Sequence, residues 1–121
     1  MEKLFRLLVI LPLAVSLLSS AAAAESTDQT IDYLLKYMAD SHAVFTRNGA
    51  DHTPPEAVEH IKAKYEHFKK DIKTPEDFIR LAATKSLLTG NLYLVRPQGG
   101  KERRLDEWLT EALAAHRAAA H

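Results

Sequence analysis

Two threonine–proline pairs, Thr53-Pro54 and Thr74-Pro75, constrain the fold of this chain more than any other feature. Each sets a good helix N-cap before a proline, whose fixed φ suits the first helical position and whose missing N–H costs nothing there. An acidic residue follows at the third helical position, Glu56 in the first case and Asp77 in the second. Thr53 with Glu56 is a capping box, in which hydroxyl and carboxylate each accept an N–H that the first turn leaves unpaired. Two helix starts are thereby placed before any propensity is weighed.

Apolar spacing sets the lengths. Val58, Ile61, Tyr65, Phe68 and Ile72 form a core-facing seam, which predicts a helix from the Thr53 cap to about Asp71. After Thr74 a helix is expected to about Leu88, with Ile79, Ala82, Ala83, Ser86 and Leu87 on one face and Gly90 as its stop. Upstream, Thr27 can cap a helix from about Asp28 to Ser41. Its stripe is Ile31, Leu34, Leu35 and Met38, and Asp28 and Asp32 sit where the helix dipole favours negative charge. A last helix begins near Leu105 on the stripe Leu105, Trp108, Leu109, Ala112 and Leu113. Its Ala-rich tail, Ala114 to His121, is expected to fray.

Two short hairpins fill the gaps. Val44 to Arg47 alternates apolar and polar and runs into Asn48-Gly49, a strong hairpin turn, with Ala50-Asp51-His52 as a weak return arm. Asn91 to Arg96 reads as a strand, Pro97 to Gly100 as a turn, and Lys101 to Arg104 as a charged edge strand. The order helix, hairpin, helix, helix, hairpin, helix predicts an α+β fold: a small antiparallel sheet from two hairpins packed on about four helices.

The first 24 residues have a different character. Lys3 and Arg6 precede an apolar run from Leu4 to Leu18, and small residues follow up to Ala24. That order predicts a secretory signal peptide over residues 1–24, cleaved after Ala24, and a single domain over 25–121. A single membrane span is the rival reading, but the segment is barely long enough and no basic stop-transfer flank follows it. Without the leader the chain keeps 14 basic and 15 acidic side chains, so its formal charge is −1. This gives no electrostatic case for nucleic acid or anionic membrane as partner. The sequence has no cysteine. Disulfides, thiol redox chemistry, cysteine nucleophiles and cysteine metal sites are excluded, and stability must come from the apolar core.

Several pieces of the chain together resemble the YfeK-like proteins, small exported bacterial proteins of unassigned function. They are Phe45-Thr46-Arg47-Asn48-Gly49, then Ala57, His60, Lys64 and Tyr65, then Phe78-Ile79, Ser86, Thr89-Gly90, Tyr93 and Val95, and finally Glu107-Trp108-Leu109. The resemblance implies an envelope location, the periplasm, and no particular reaction. Similar proteins often carry one cysteine before the F-x-R-N-G segment and another after the late strand. Here those neighbourhoods read Ala43-Val44-Phe45 and Val95-Arg96-Pro97. The resemblance therefore implies that apolar packing replaces that tie between the hairpins.

The candidate site is the polar flank of the Thr53 helix. At helical spacing Glu56, His60, Lys64 and His67 line one edge of the seam, and Arg47 and Asn48 can join them from the hairpin turn. Such a patch suits an anion or a partner; the plainer explanation is that the stems pack on the core rim and the heads satisfy backbone carbonyls. A metal site would need His60 and His67 plus a third ligand from His42, His52 or Glu56, and no H-E-x-x-H pattern is present, so no cofactor is expected. Ser86 with His60 and Asp51 or Asp71 would be a hydrolytic triad, but no G-x-S-x-G elbow surrounds Ser86. The expectation is a non-catalytic periplasmic binding or interaction module. Arg47, Asn48, His60 and Lys64 would contact an unknown periplasmic protein or small ligand, with no nucleic acid and no stable membrane anchor. The alternative is a small envelope hydrolase with His60 as general base.

Overall fold

The computed structural model describes residues 24–120. The expected leader lies outside them except for its last residue, Ala24. No helix among the described residues is long and apolar enough to cross a membrane.

The fold is α+β, as the element order predicts. It comprises α1 (Thr27–Ala39), β1 (Val44–Arg47), β2 (Ala50–His52), α2 (Pro54–His67), a 3-10 turn (Lys69–Asp71), α3 (Pro75–Ala82), β3 (Leu94–Arg96), β4 (Arg103–Arg104) and α4 (Leu105–Ala119). Both Thr-Pro starts carry full capping boxes: Thr53 with Glu56, and Thr74 with Asp77. The cap of α1 is Ser26 rather than Thr27, because Gln29 completes a reciprocal box with the serine. Thr27 instead donates its hydroxyl to the Lys73 carbonyl.

The two hairpins pair into one antiparallel sheet of order β2-β1-β3-β4. Asn48 and Gly49 both have positive φ, 52° and 79°, the requirement of a tight two-residue hairpin turn. β1 lies against β3 with Val44 opposite Arg96 and Phe45 opposite Val95. These are the two neighbourhoods where the proteins of the resemblance often carry a cysteine each. Here a backbone ladder joins the hairpins directly, with the buried Phe45 and Val95 side chains beneath it.

One side of the sheet packs on the helices. Ile31, Leu34 and Met38 of α1, Phe78 of α3, Val95 of β3 and Leu109 of α4 are wholly enclosed. The Tyr65 phenol on α2 donates to Asp28 on α1, and burial together with that carboxylate pushes the phenol's pKa up. Helical bonding continues through the Ala-rich stretch to Ala119, where Arg117 pairs with Glu76 at the start of α3 and His116 pairs with Glu25. Both ties arrive from other parts of the chain, so the stretch expected to fray is anchored across the fold.

Several expected elements differ, and β4 is only Arg103–Arg104, not the expected Lys101 to Arg104. α3 stops at Ala82, not near Leu88. The Thr84 hydroxyl donates to the Ile79 carbonyl, Tyr93 N–H donates to the Thr84 carbonyl, and Lys85 forms a single bridge with Leu92. The segment from 83 to 93 thus exchanges helical bonds for pairing with the chain leading into β3, and β3 itself shrinks to Leu94–Arg96. Ser86 is therefore in a loop. Leu87 and Leu88, at 63% and 94% exposure, point to solvent instead of extending the core face. The seam of α2 is also rotated. Ala57, Ile61, Lys64 and Tyr65 are buried, while Val58 and Phe68 are only half-buried. The 83–93 loop covers the Lys64 side of the helix, and the Lys64 head donates to the Lys85 carbonyl, which is the plainer explanation of that flank: a stem on the core rim and a head on a backbone carbonyl.

Candidate functional site

The cluster is organised by a residue that the sequence did not single out as a site. Tyr93, buried just before β3, stands between Lys64 and His60 of α2. The Lys64 ammonium donates to the Tyr93 phenol oxygen at 3.0 Å and to the Lys85 carbonyl at 2.7 Å. His60 Nε2 lies 3.0 Å from the same phenol oxygen. Because the phenol already accepts from an ammonium, which has no lone pair, its own hydrogen is the one to donate onward. This assigns a chain Lys64 → Tyr93 → His60, with Nε2 of His60 as acceptor and the ring proton on Nδ1. The two rings meet edge to face.

Electrostatics agree with that direction. Burial lowers the His60 pKa, and the positive charges of Arg47, Lys64 and His52 lower it further. Both causes favour the neutral ring, the form that can accept at Nε2. Burial alone drives the Lys64 pKa down. It also raises that of Tyr93, which nearby Arg47 partly offsets. Lys64, expected on the helix flank, is 7% exposed. Its hydrogen-bond partners are both uncharged, so the ammonium has no carboxylate partner among the described residues.

Arg47 ends β1 on the same side of the sheet as Phe45, because side chains two apart share a face. With Thr46, His52, His60 and Tyr93 it lines a cleft of about 20 Å³ whose other walls are apolar: Phe45, Ala57, Ile61, Leu94 and Leu105. That space holds roughly one water. Only the tip of a ligand enters it, such as one edge of a carboxylate or phosphate group. Arg47 makes no ion pair among the described residues. Glu56, the acid expected beside His60, is engaged elsewhere. It caps the Thr53 N–H and lies 3.6 Å from His52, and both keep its carboxyl below the usual range.

Asn48 does not join this cluster. Its side-chain oxygen accepts from the Thr89 hydroxyl at 2.7 Å and from Asn91 at 3.4 Å, and its amide donates to Ser86 at 3.4 Å. It clamps the β1–β2 turn to the 86–91 loop. The Ser86 oxygen also accepts from the backbone N–H of Leu88 and Thr89. Serine here ties a turn together, and none of its described hydrogen bonds reaches His60. His67 is exposed and packs edge to face on Phe68, away from the cluster. No group of three or more histidine, aspartate or glutamate side chains among the described residues is placed to hold a metal ion.

His60 and Lys64, expected on one flank of the Thr53 helix, both reach the Tyr93 phenol oxygen, and Arg47 from the end of β1 lines the cleft with His60. Tyr93 was legible only as a core tyrosine, since it lies 29 residues from Lys64 in the chain. The available signal was its place in an otherwise aliphatic strand, where a phenol needs a partner for its hydroxyl.

Comparison with known families adds one positive finding. The chain belongs to a family of unknown function, DUF5329, whose pattern matches residues 25–117. Neither the curated proteins nor the solved structures gave a match.

Proposed function

We propose that this DUF5329 protein is a non-catalytic binding module that receives a small oxyanion, free or carried by a partner, at the Arg47–His60 cleft. The observation that carries the reading is that Arg47 and His60 line one cleft, with the Lys64 ammonium behind Tyr93, and that no carboxylate among the described residues pairs with Arg47 or Lys64. Unneutralised cations sharing a partly desolvated site repel one another, and an arriving anion relieves that repulsion. The narrowness of the cleft favours an anionic group presented at its mouth over an engulfed ligand. A periplasmic location for the module is supported by the apolar run of residues 1–24 and by the resemblance to the YfeK-like proteins.

The hydrolase alternative has less support. A general base needs a free lone pair within reach of its proton. The Nε2 lone pair of His60 is occupied by Tyr93, and the Ser86 oxygen is held by backbone donors. Lys64 is too buried to be the contact residue that a solvated flank would have offered; its charge acts from behind Tyr93.

The test is titration calorimetry of the purified protein with sulfate, inorganic phosphate and acetate, repeated with Arg47→Gln. Arg47 carries no described ion pair, so the variant should stay folded. Binding of one of these anions that falls at least tenfold in Arg47→Gln supports the reading. Unchanged affinity in the variant, or no binding of any of the three, overturns it.

A further inference from the structure

We infer that anion capture at this cleft is coupled to the uptake of one proton by His60, so that the site fills as pH falls and empties as it rises. The inference rests on the anion-site reading and adds its regulation. It starts from the hydrogen-bond chain. With the cleft empty, Tyr93 accepts from Lys64, and its own hydrogen has a described acceptor, His60 Nε2, only while that nitrogen is unprotonated. Adding a proton at Nε2 sets two donors against one phenol oxygen and leaves the phenol hydrogen without its acceptor.

The charges facing His60 point the same way from each surrounding element. β1 brings Arg47, β2 brings His52, and α2 itself brings Lys64 one turn on. The approach to β3 brings the neutral Tyr93, and the acid Glu56 stands off beside His52. A proton on His60 in the empty cleft is therefore a further cation among cations. An anion seated between Arg47 and His60 reverses that balance. It supplies the counter-charge that the cluster lacks, and a protonated imidazole offers it a charge-assisted hydrogen bond. Favouring the proton by the anion requires, by linkage, favouring the anion by the proton to the same extent. Histidine is the group whose titration falls in the range where such coupling is useful.

Sulfate is the probe, because it stays a dianion throughout the range and contributes no titration of its own. Its affinity is measured by calorimetry at about pH 5.5 and about pH 8, in two buffers of different ionisation heat, so that proton uptake is read directly. The expected result is at least about tenfold tighter binding at the lower pH with net proton uptake between the two. In His60→Gln that pH dependence disappears, while in His67→Gln, at an exposed histidine outside the cleft, it persists. Should His60→Gln fold poorly, NMR titration of the wild-type histidines gives the same answer: the His60 midpoint rises when sulfate is saturating. Equal affinity at both pH values, or an unmoved His60 midpoint, overturns the coupling and leaves the anion site standing. A pH dependence that survives in folded His60→Gln overturns the assignment to His60. Absence of sulfate binding at both pH values removes the coupling and counts against the site itself.

Discussion

Replacing Asn48 tests whether this residue is a clamp, as the structure has it, or a ligand contact. Asn48 sits at φ 52° and its side-chain oxygen accepts from Thr89 at 2.7 Å. Alanine loses on both counts. The left-handed conformation costs a residue with Cβ about 1–2 kcal/mol, and asparagine is among the few that offset this by local bonding. The Thr89 bond is worth about 1 kcal/mol net, and the two 3.4 Å contacts to Ser86 and Asn91 little. Asn48→Ala should therefore lower stability by about 2–3 kcal/mol. At about 4–8 °C per kcal/mol for a domain of this size, the midpoint falls by at least about 8 °C. Asn48→Asp keeps both the tolerance for positive φ and the oxygen facing Thr89, so it should lose less than about 1 kcal/mol. Thermal unfolding followed by circular dichroism measures the pair. Amide exchange locates the effect: the Leu88 and Thr89 amides, held by Ser86, should lose protection first in Asn48→Ala. If Asn48→Ala unfolds within about 2 °C of wild type, or no earlier than Asn48→Asp, the clamp argument is wrong.

Other consequences follow from the same geometry. Lys64→Ala should destabilise by about 2 kcal/mol, through lost stem packing and two lost hydrogen bonds from a charged donor, while Lys64→Met, which keeps the stem, should lose less in the same denaturant titration. Thr74→Ala removes the N-cap of α3 and should cost about 1 kcal/mol in thermal unfolding, whereas Thr74→Ser should be near neutral. Stability should also respond to pH through His60. Its folded pKa lies below the ordinary 6.5, so the unfolded chain takes up the proton first. Stability is then fully present above pH 6.5 and falls as pH drops from there through the folded value. Urea titrations in low-salt buffer free of binding anions should show that slope, and His60→Gln should flatten it; an equal slope in the variant would assign it to another group.

Particular elements show where the sequence was sufficient. The Thr53 and Thr74 boxes were legible because a cap is a contact among four consecutive residues, and the Asn48-Gly49 turn because positive φ is a local demand. The stripes of α1 and α4 were legible because a helix presents a fixed face at each step. The end of α3 was not. Residues 83–88 have helical spacing, and their competing bonds come from Asn91, Leu92 and Tyr93 across a loop that no local rule closes. The same loop buried Lys64, which the spacing set only at the edge of the apolar seam.

The site divides along the same line. The helix starts, the turn and the presence of His60 and Lys64 on one helix flank follow from neighbours within a turn or two of chain. That Tyr93 joins those two, that Arg47 lines the cleft without a counter-ion among the described residues, and that Asn48 instead holds a loop follow only from long-range packing. Those outcomes depend on which way the 83–93 segment folds back. That choice is made by burial and hydrogen-bond satisfaction over the whole molecule, not by the residues of the segment alone.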